Sequence, residues 1–305
     1  MKVFLRHYSG FLKLRDTGDF RAALERARAA HRECPEMRVK TWFWQACMSS
    51  LLGDSAEAVS ALRAGLGEGH WWSPVQLDGD PDLGPIRGSP AFTEVREECA
   101  TRYAQSQARA HPQCLVLAPS SATWEPRSLV LIHGRGDTAS LCAARWGELV
   151  DEGWTLIIPQ SSQTYDSMGF CWDDMDLARQ ELRSHLEDSR RKRGIETDGM
   201  VMAGASQGGR LALELAHECG VPWLCVAPAL PAGYDVAPLI GVPAHTRGAF
   251  LLAEHDPASA NARRVIRALE SGGLHVLTGT MKEVSHSLPE DFPRQAADLL
   301  RALLA

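Results

Sequence analysis

The sequence predicts an α/β protein, with a mainly parallel, helix-flanked sheet preceded by an all-α region of helical repeats. Two observations carry this. Over residues 1–110 the apolar residues recur at helical spacing. From Cys114 onward, short continuous apolar runs alternate with helical stretches. Strands without polar alternation are buried on both faces, as in parallel sheets covered by helices. The expected organisation is a helical domain over residues 1–110 and a sheet domain over 111–305.

The bulk numbers narrow the function. The 305 residues are 45% hydrophobic and 23% charged, ordinary values for a globular chain. A net charge of −6 without a long basic run argues against nucleic acid or an anionic membrane surface as the main partner. No apolar stretch approaches the roughly 18 residues of a membrane span. Met1–His7 has no continuing apolar region, so a signal peptide is not expected. Eight scattered cysteines without a CxxC pair read as reduced, mostly buried thiols of a cytoplasmic protein, in preference to disulfides.

The helical elements follow in order. A run from Asp19 to Glu33 stops at Pro35. A second runs from Met37 to Leu52 and ends at Gly53, and a third from Ser55, an N-cap, to Leu66. Gly18-Asp19 recurs as Gly53-Asp54, 35 residues on, and in that register Ala23 falls on Ala58 and Ala27 on Leu62. Small residues there let paired helices approach closely. The pattern resembles tetratricopeptide repeats, through Ala23, Ala27, Ala30 and Pro35 in the first unit and Trp42, Ala46, Ala58 and Leu62 in the second. His7 stands where the pattern has tryptophan. Two repeats rarely bury a stable core alone. The segment is therefore expected to pack on the next domain or to be completed by a helix over Pro90–Gln107. Trp71–Pro90, rich in Gly, Pro and Asp, reads as an irregular connector. Its Asp80–Phe92 part looks like a segment that often ends such arrays, and Trp71 and Trp72 are expected to touch the second domain.

The strand runs are Cys114–Ala118, Leu129–Ile132, Thr155–Ile158, Met200–Ala203, Trp223–Ala227, Ala249–Ala253 and His275–Leu277. Helices are expected near Ala143–Glu152, Asp174–Arg193, Gln207–Cys219, Ser259–Ser271 and Arg294–Leu304. In such sheets sites form beyond the carboxyl ends of the strands. Gly204-Ala205-Ser206-Gln207-Gly208 follows one strand and leads into a helix, the strand–turn–helix of a nucleophile elbow. Serine is a weak nucleophile and needs a base. Of eleven histidines, His286 lies after the last strand and just before the final helix. His275 begins that strand at its wrong end, His217 sits more than two turns along the nucleophile helix, and His245 precedes a strand. The acid is Glu254 or Asp256, at the end of the preceding strand, with Asp235 more distant. A carboxylate there orients the imidazole and stabilises its cation. The oxyanion of a tetrahedral intermediate needs donors, expected from the backbone N–H groups of Gln207 and Arg135. Gly134 and Gly136 let that backbone come close to substrate. The Arg135 side chain reads as a solvated or ion-paired arginine, with an anionic substrate group as the other reading. Nucleophile, acid and base then stand in the order of an α/β-hydrolase.

These motifs resemble the phospholipase/carboxylesterase group of α/β-hydrolases, which includes acyl-protein thioesterases and bacterial carboxylesterases. The matching residues are His133-Gly134-x-Gly136-Asp137-Thr138, Gly204-x-Ser206-Gln207-Gly208-Gly209, Asp256 and His286, over roughly Leu129–Phe292. The likeness favours Asp256, since the loop resembles a Gly-Glu-x-Asp turn with Ala253 for the glycine. Pro159–Gln163 followed by Phe170–Asp174 also looks like this group, in which a tryptophan-aspartate pair follows the fourth strand; the likeness implies that Trp172 lines the acyl or leaving-group pocket, with a core tryptophan whose N–H is satisfied as the equal alternative. Ser285 replaces the usual glycine before the histidine, and the N-terminal helices are not part of the compact family domain.

The function expected is hydrolysis of a small-molecule carboxylic ester or thioester through Ser206, His286 and Asp256, with an acyl-enzyme intermediate. No metal or organic cofactor is implied, since neither HExxH nor zinc-ribbon spacing occurs. The rivals are a serine peptidase of prolyl-oligopeptidase type and an interaction scaffold whose hydrolase domain is inactive. The helices are read either as recruiting a protein partner or as mediating self-association.

Overall fold

The structure, a computed structural model, describes residues 2–120, 127–195, 198–240 and 247–304. The chain divides into two compact units, Met1–Ala110 with Gln163–Phe170, and His111–Ser162 with Cys171–Ala305.

The first unit is built from α1 (Lys2–Asp16), α2 (Phe20–Glu33), α3 (Arg38–Leu51), α4 (Ser55–Gly67), α5 (Pro74–Gly79) and α6 (Pro90–Gln107). The 35-residue echo is visible in the backbone. Gly18 and Gly53 both turn at positive φ, 80° and 81°. The next residues, Asp19 and Asp54, cap α2 and α4 by accepting the N–H of Ala22 and Glu57, each at 3.0 Å. Ala23, Ala27, Ala58 and Leu62 are all fully buried, where successive helices pack against one another.

The connector departs from expectation. Trp71–Pro90 contains α5 and a 3₁₀ stretch over Pro81–Ile86. The prolines start these turns: Pro74 follows the Ser73 cap, and Pro81 follows Asp80, which accepts the N–H of Asp82. The helix over Pro90–Gln107 is present and packs on α4 and α5. Trp71 and Trp72 belong to this unit's core. Trp72 is fully buried and donates its indole N–H to Val39 O at 3.0 Å. Trp71 stands edge-on to Tyr103. Gln163–Phe170, which sequence alone assigns to the second domain, is bound here by long-range bonds. Ser73 N–H donates to Tyr165 O at 2.9 Å, and Ser167 N–H to Trp71 O at 3.0 Å. Gln107 Oε1 accepts from the backbone N–H of Thr164 at 2.9 Å and from its hydroxyl at 3.0 Å.

The second unit is a seven-stranded sheet. Its strands are β1 (Gln113–Leu117), β2 (Arg127–Ile132), β3 (Trp154–Gln160), β6 (Met200–Ala205), β7 (Trp223–Val226), β8 (Gly248–Ala253) and β9 (Val276–Met281). The labels β4 (Gln163–Thr164) and β5 (Phe170–Cys171) denote a separate short pair. The order is β1-β3-β2-β6-β7-β8-β9, with β1 antiparallel to β3 and the other pairs parallel. Successive residues alternate between two cores. Val130, Ile132, Met200, Met202, Phe250 and Leu252 share one with α8 (Met175–Arg193), α9 (Gln207–Cys219) and α10 (Ser259–Ser271). Leu129, Leu131, Val201, Ala203, Ala249 and Leu251 share the other with α7 (Ala139–Trp146) and α11 (Phe292–Leu304). This two-faced burial is what the uninterrupted apolar runs record. β9 is longer than His275–Leu277 because it is an edge strand, and its polar Thr278 and Thr280 break the apolar run.

All eight cysteines are free thiols. Among the described residues no helix is long and apolar enough to cross a membrane.

Candidate active site

β6 stops at Ala205 and α9 begins at Gln207, which leaves Ser206 alone in the turn. Its backbone sits at φ 54°, ψ −119°. A non-glycine residue held there costs about 1–3 kcal/mol and persists only where its surroundings fix it. Ser206 N–H donates to Val226 O at 2.9 Å, and its carbonyl accepts Ala229 N–H at 2.9 Å. The neighbouring glycines have no room for a side chain. A Cβ on Gly208 would lie 2.1 Å from Ile132 O and 2.6 Å from His133 O, and one on Gly204 2.4 Å from the Gly208 carbonyl. β2, β6 and the start of α9 are thereby pressed together, with the serine side chain at the apex.

Residues 30 and 80 positions apart meet here. His286 Nε2 lies 2.8 Å from Ser206 Oγ, and His286 Nδ1 lies 2.6 Å from Asp256 Oδ2. A carboxylate only accepts, so Nδ1 carries the proton and Nε2 presents a lone pair to the hydroxyl. The other Asp256 oxygen accepts Ala258 N–H at 2.9 Å. The Asp256 side chain is 4% exposed and that of His286 31%, so the carboxylate is shielded while the imidazole reaches solvent.

Glu254 has a different task. It accepts Glu283 N–H at 3.0 Å and pairs with Lys282 at 3.1 Å. The Glu283 N–H, and then Lys282, hold its carboxyl below the usual range. With His255 N–H on Val284 O and Glu254 N–H on Met281 O, this zips the end of β8 to the turn that carries His286. Asp235 accepts Ala237 N–H in its own turn. His275 precedes β9, and His217 is buried on α9 with Nδ1 on Leu213 O. His245 lies outside the described residues.

The other side of Ser206 is formed by the loop after β2. A Cβ on Gly134 would come 3.3 Å from Ala205 O and 3.6 Å from Ser206 Cβ, which measures how closely this loop passes. Arg135 follows it. Gln207 opens α9, where the first N–H groups have no intrahelical acceptor and the helix dipole is positive. The Arg135 side chain is ion-paired, with Nη2 2.5 Å from Asp173 Oδ1.

Trp172 departs from the pocket-lining role. It is fully buried, and its indole N–H donates to His133 O at 3.0 Å. It backs the loop from inside the core. His133 beside it is also buried. Its Nε2 accepts from Ser161 N–H at 3.3 Å and is 3.2 Å from Gln160 Nε2, so Nδ1 is the donor, to Gly134 O at 2.9 Å. Burial lowers its pKa and keeps the imidazole neutral. Sequence reasoning gave no role to Asp173, to Gln160 or to the side chain of Gln207. The only signal for Asp173 was its place after Trp172 in a motif-like stretch.

Two groups among the described residues bring three ligand atoms together: Cys47 with Asp80 and Asp82, and Glu254 with His255 and Glu283. In the first, burial raises the Cys47 thiol and both carboxyls, which disfavours the anionic forms a cation needs. In the second, Glu254 is already taken by Lys282 and a backbone N–H. A cavity of about 420 Å³ runs along α8, α9 and the loop after β7, lined in part by Arg179, Arg210, Glu214 and Tyr234. Ser206 and His286 do not line it.

Residues 11–107 match the family model described as "A/B hydrolase-like, N-terminal domain". No curated protein matches the chain. Among solved structures, an uncharacterized protein from Bacillus cereus ATCC 10987 is similar with a TM-score of 0.55 and 19% identity, over 98% of this chain and 97% of that one. Esterase PE8 is similar at 0.53 and 14%, over 63% and 99%. A carboxylesterase from Mesorhizobium loti is similar at 0.52 and 16%, over 61% and 92%. The chain thus has the α/β-hydrolase fold, preceded by helices that match the model of an A/B hydrolase-like N-terminal domain.

Proposed function

We propose that the protein is a serine hydrolase of carboxylic esters or thioesters. The observation that carries this is His286, bridging Ser206 Oγ at 2.8 Å and Asp256 at 2.6 Å. Ser206 Oγ attacks the acyl carbonyl while His286 Nε2 takes its proton. Asp256 holds the ring and offsets the imidazolium charge. The backbone N–H groups of Gln207 and Arg135 stabilise the oxyanion. Collapse expels the alcohol or thiol, which leaves with the proton from His286. Water, deprotonated by the same nitrogen, then attacks the acyl-enzyme and releases the acid and free Ser206.

The esterase and carboxylesterase among similar folds agree with this reading. In the same proposal, the free thiols fit a reducing, cytoplasmic setting. The tetratricopeptide-like helix pairs present surfaces for a protein partner or a second copy. Hydrolysis of p-nitrophenyl esters of increasing acyl length tests the enzyme reading. Activity in the wild type that disappears in Ser206→Ala supports it, and the preferred length sizes the acyl pocket. Equal, negligible rates for both across esters and thioesters would favour the scaffold.

A further inference from the structure

The carboxylate of Asp173 has no part in the chemistry just described, yet it touches both residues whose N–H groups are assigned to the oxyanion. Its Oδ1 accepts from Arg135 Nη2 at 2.5 Å and from Gln207 Nε2 at 2.8 Å. The amide of Gln207 is fixed by its other end, since Oε1 accepts the backbone N–H of Trp172 at 2.9 Å. A backbone donor there requires the amide oxygen, which leaves the NH2 group for Asp173. Trp172 adds a fourth bond, from its indole to His133 O, one residue before Gly134. Two consecutive residues therefore staple the loop after β2 to the first residue of α9.

We propose that Asp173 is a positioning residue for the oxyanion site. It sets the distance between the Arg135 and Gln207 backbones on either side of Ser206. This rests on the hydrolase reading above. The two donors come from separate elements, and glycines at 134 and 136 leave the loop pliant, so an outside restraint is needed to keep both N–H groups aimed at one point. A shared, partly buried oxygen does this through charge-assisted bonds, its side chain being 26% exposed. Arg135 also cancels the negative charge that would otherwise face a developing oxyanion. The arginine that looks solvent-directed in sequence thus acts through Asp173, and does not receive substrate.

The test uses the full chain, a p-nitrophenyl ester and a trifluoromethyl ketone, whose hemiketal oxygen mimics the oxyanion. Asp173→Ala is expected to lower kcat by about 10- to 100-fold, the scale of a misplaced or lost donor. KM should stay within about two-fold, and ketone affinity should fall in parallel with kcat. Asp173→Asn, which keeps one acceptor, should lose less. Adding Arg135→Ala to Asp173→Ala should cost little more, because both break the same tether. Asp176→Ala, an exposed neighbour, is the control. If Asp173→Ala does not fold, Gln207→Ala carries the test: it retains the backbone N–H, loses the tether, and should show the same split. Unchanged kcat in the folded variants, or fully additive losses from Arg135→Ala, would overturn the proposal while leaving an active wild type. A wild type inert to esters and to a fluorophosphonate would overturn the hydrolase reading and this one together.

Discussion

Both units turn the chain at positive φ just before a helix, and they do it in opposite ways. In the helical unit the turning residues are Gly18 and Gly53, with nothing within 4 Å of a hypothetical Cβ. Glycine relieves the strain, and the aspartate that follows caps the helix. In the sheet unit the turning residue is Ser206, which has a side chain, while the glycines stand beside it at 204 and 208 where there is no space. There the strain is kept at the residue whose hydroxyl meets His286, and its neighbours make way. A relaxed turn repeats along a chain as a local signal. A strained one depends on contacts from β2 and β7, far away in sequence, and leaves no local repeat.

Substitutions in the two units should differ widely in effect. The largest effect is expected at the acid. Asp256→Asn should lower kcat by about 10,000-fold by offering His286 the wrong tautomer. Glu254→Gln should leave kcat within about three-fold, since its bonds hold a turn at the surface. Steady-state rates of the two variants check this, and the reverse order would exchange the roles. Next comes Gly208→Ala. A methyl group 2.1 Å from Ile132 O forces β2 and α9 apart, which should destabilise the unit by about 3 kcal/mol or more and abolish turnover. Denaturant unfolding and a rate assay measure both.

The helical turns should respond more mildly. Gly18→Ala and Gly53→Ala should each cost about 1–2 kcal/mol from φ strain alone, and nearly equally. Asp19→Ala and Asp54→Ala should each cost about 1 kcal/mol by loss of a cap. Unequal effects at equivalent positions, read by hydrogen exchange in α2 and α4, would show that the repeat is not energetically regular. The smallest effect is a pH slope. Burial lowers the pKa of His31 and His70 in one unit and of His133, His185 and His217 in the other. The unfolded chain then binds more protons than the fold as pH drops below about 6.5, so stability is full above that value and declines beneath it. Melting temperature measured from pH 8 to 5 should fall with acidity, and a flat profile would contradict it.

What was legible in the sequence follows the same division. The Gly-Asp echo and the buried alanines are local, and they marked the two capped helices α2 and α4 directly. The uninterrupted apolar runs gave the sheet, because burial on both faces writes itself into every residue of β2, β6 and β8. Ser206 and His286 were legible from their places after strands. Choosing Asp256 over Glu254 needed resemblance, because two carboxylates two residues apart differ only in which way the turn points them. Trp172 was left between pocket and core because an aromatic residue near a site looks the same in sequence whichever way it faces; its full burial favours the core. The roles of Asp173 and of the Gln163–Phe170 segment were hidden because their partners lie 34 to 97 positions away and leave no periodicity. α5 was hidden by prolines, which mark breaks as readily as helix starts.

The most direct test of the account is intact-mass and peptide mapping after treatment with a fluorophosphonate. A single adduct on Ser206 is expected in the wild type, with sharply slowed labelling in His286→Ala and none in Ser206→Ala. Labelling elsewhere, or none in the folded wild type, would contradict it.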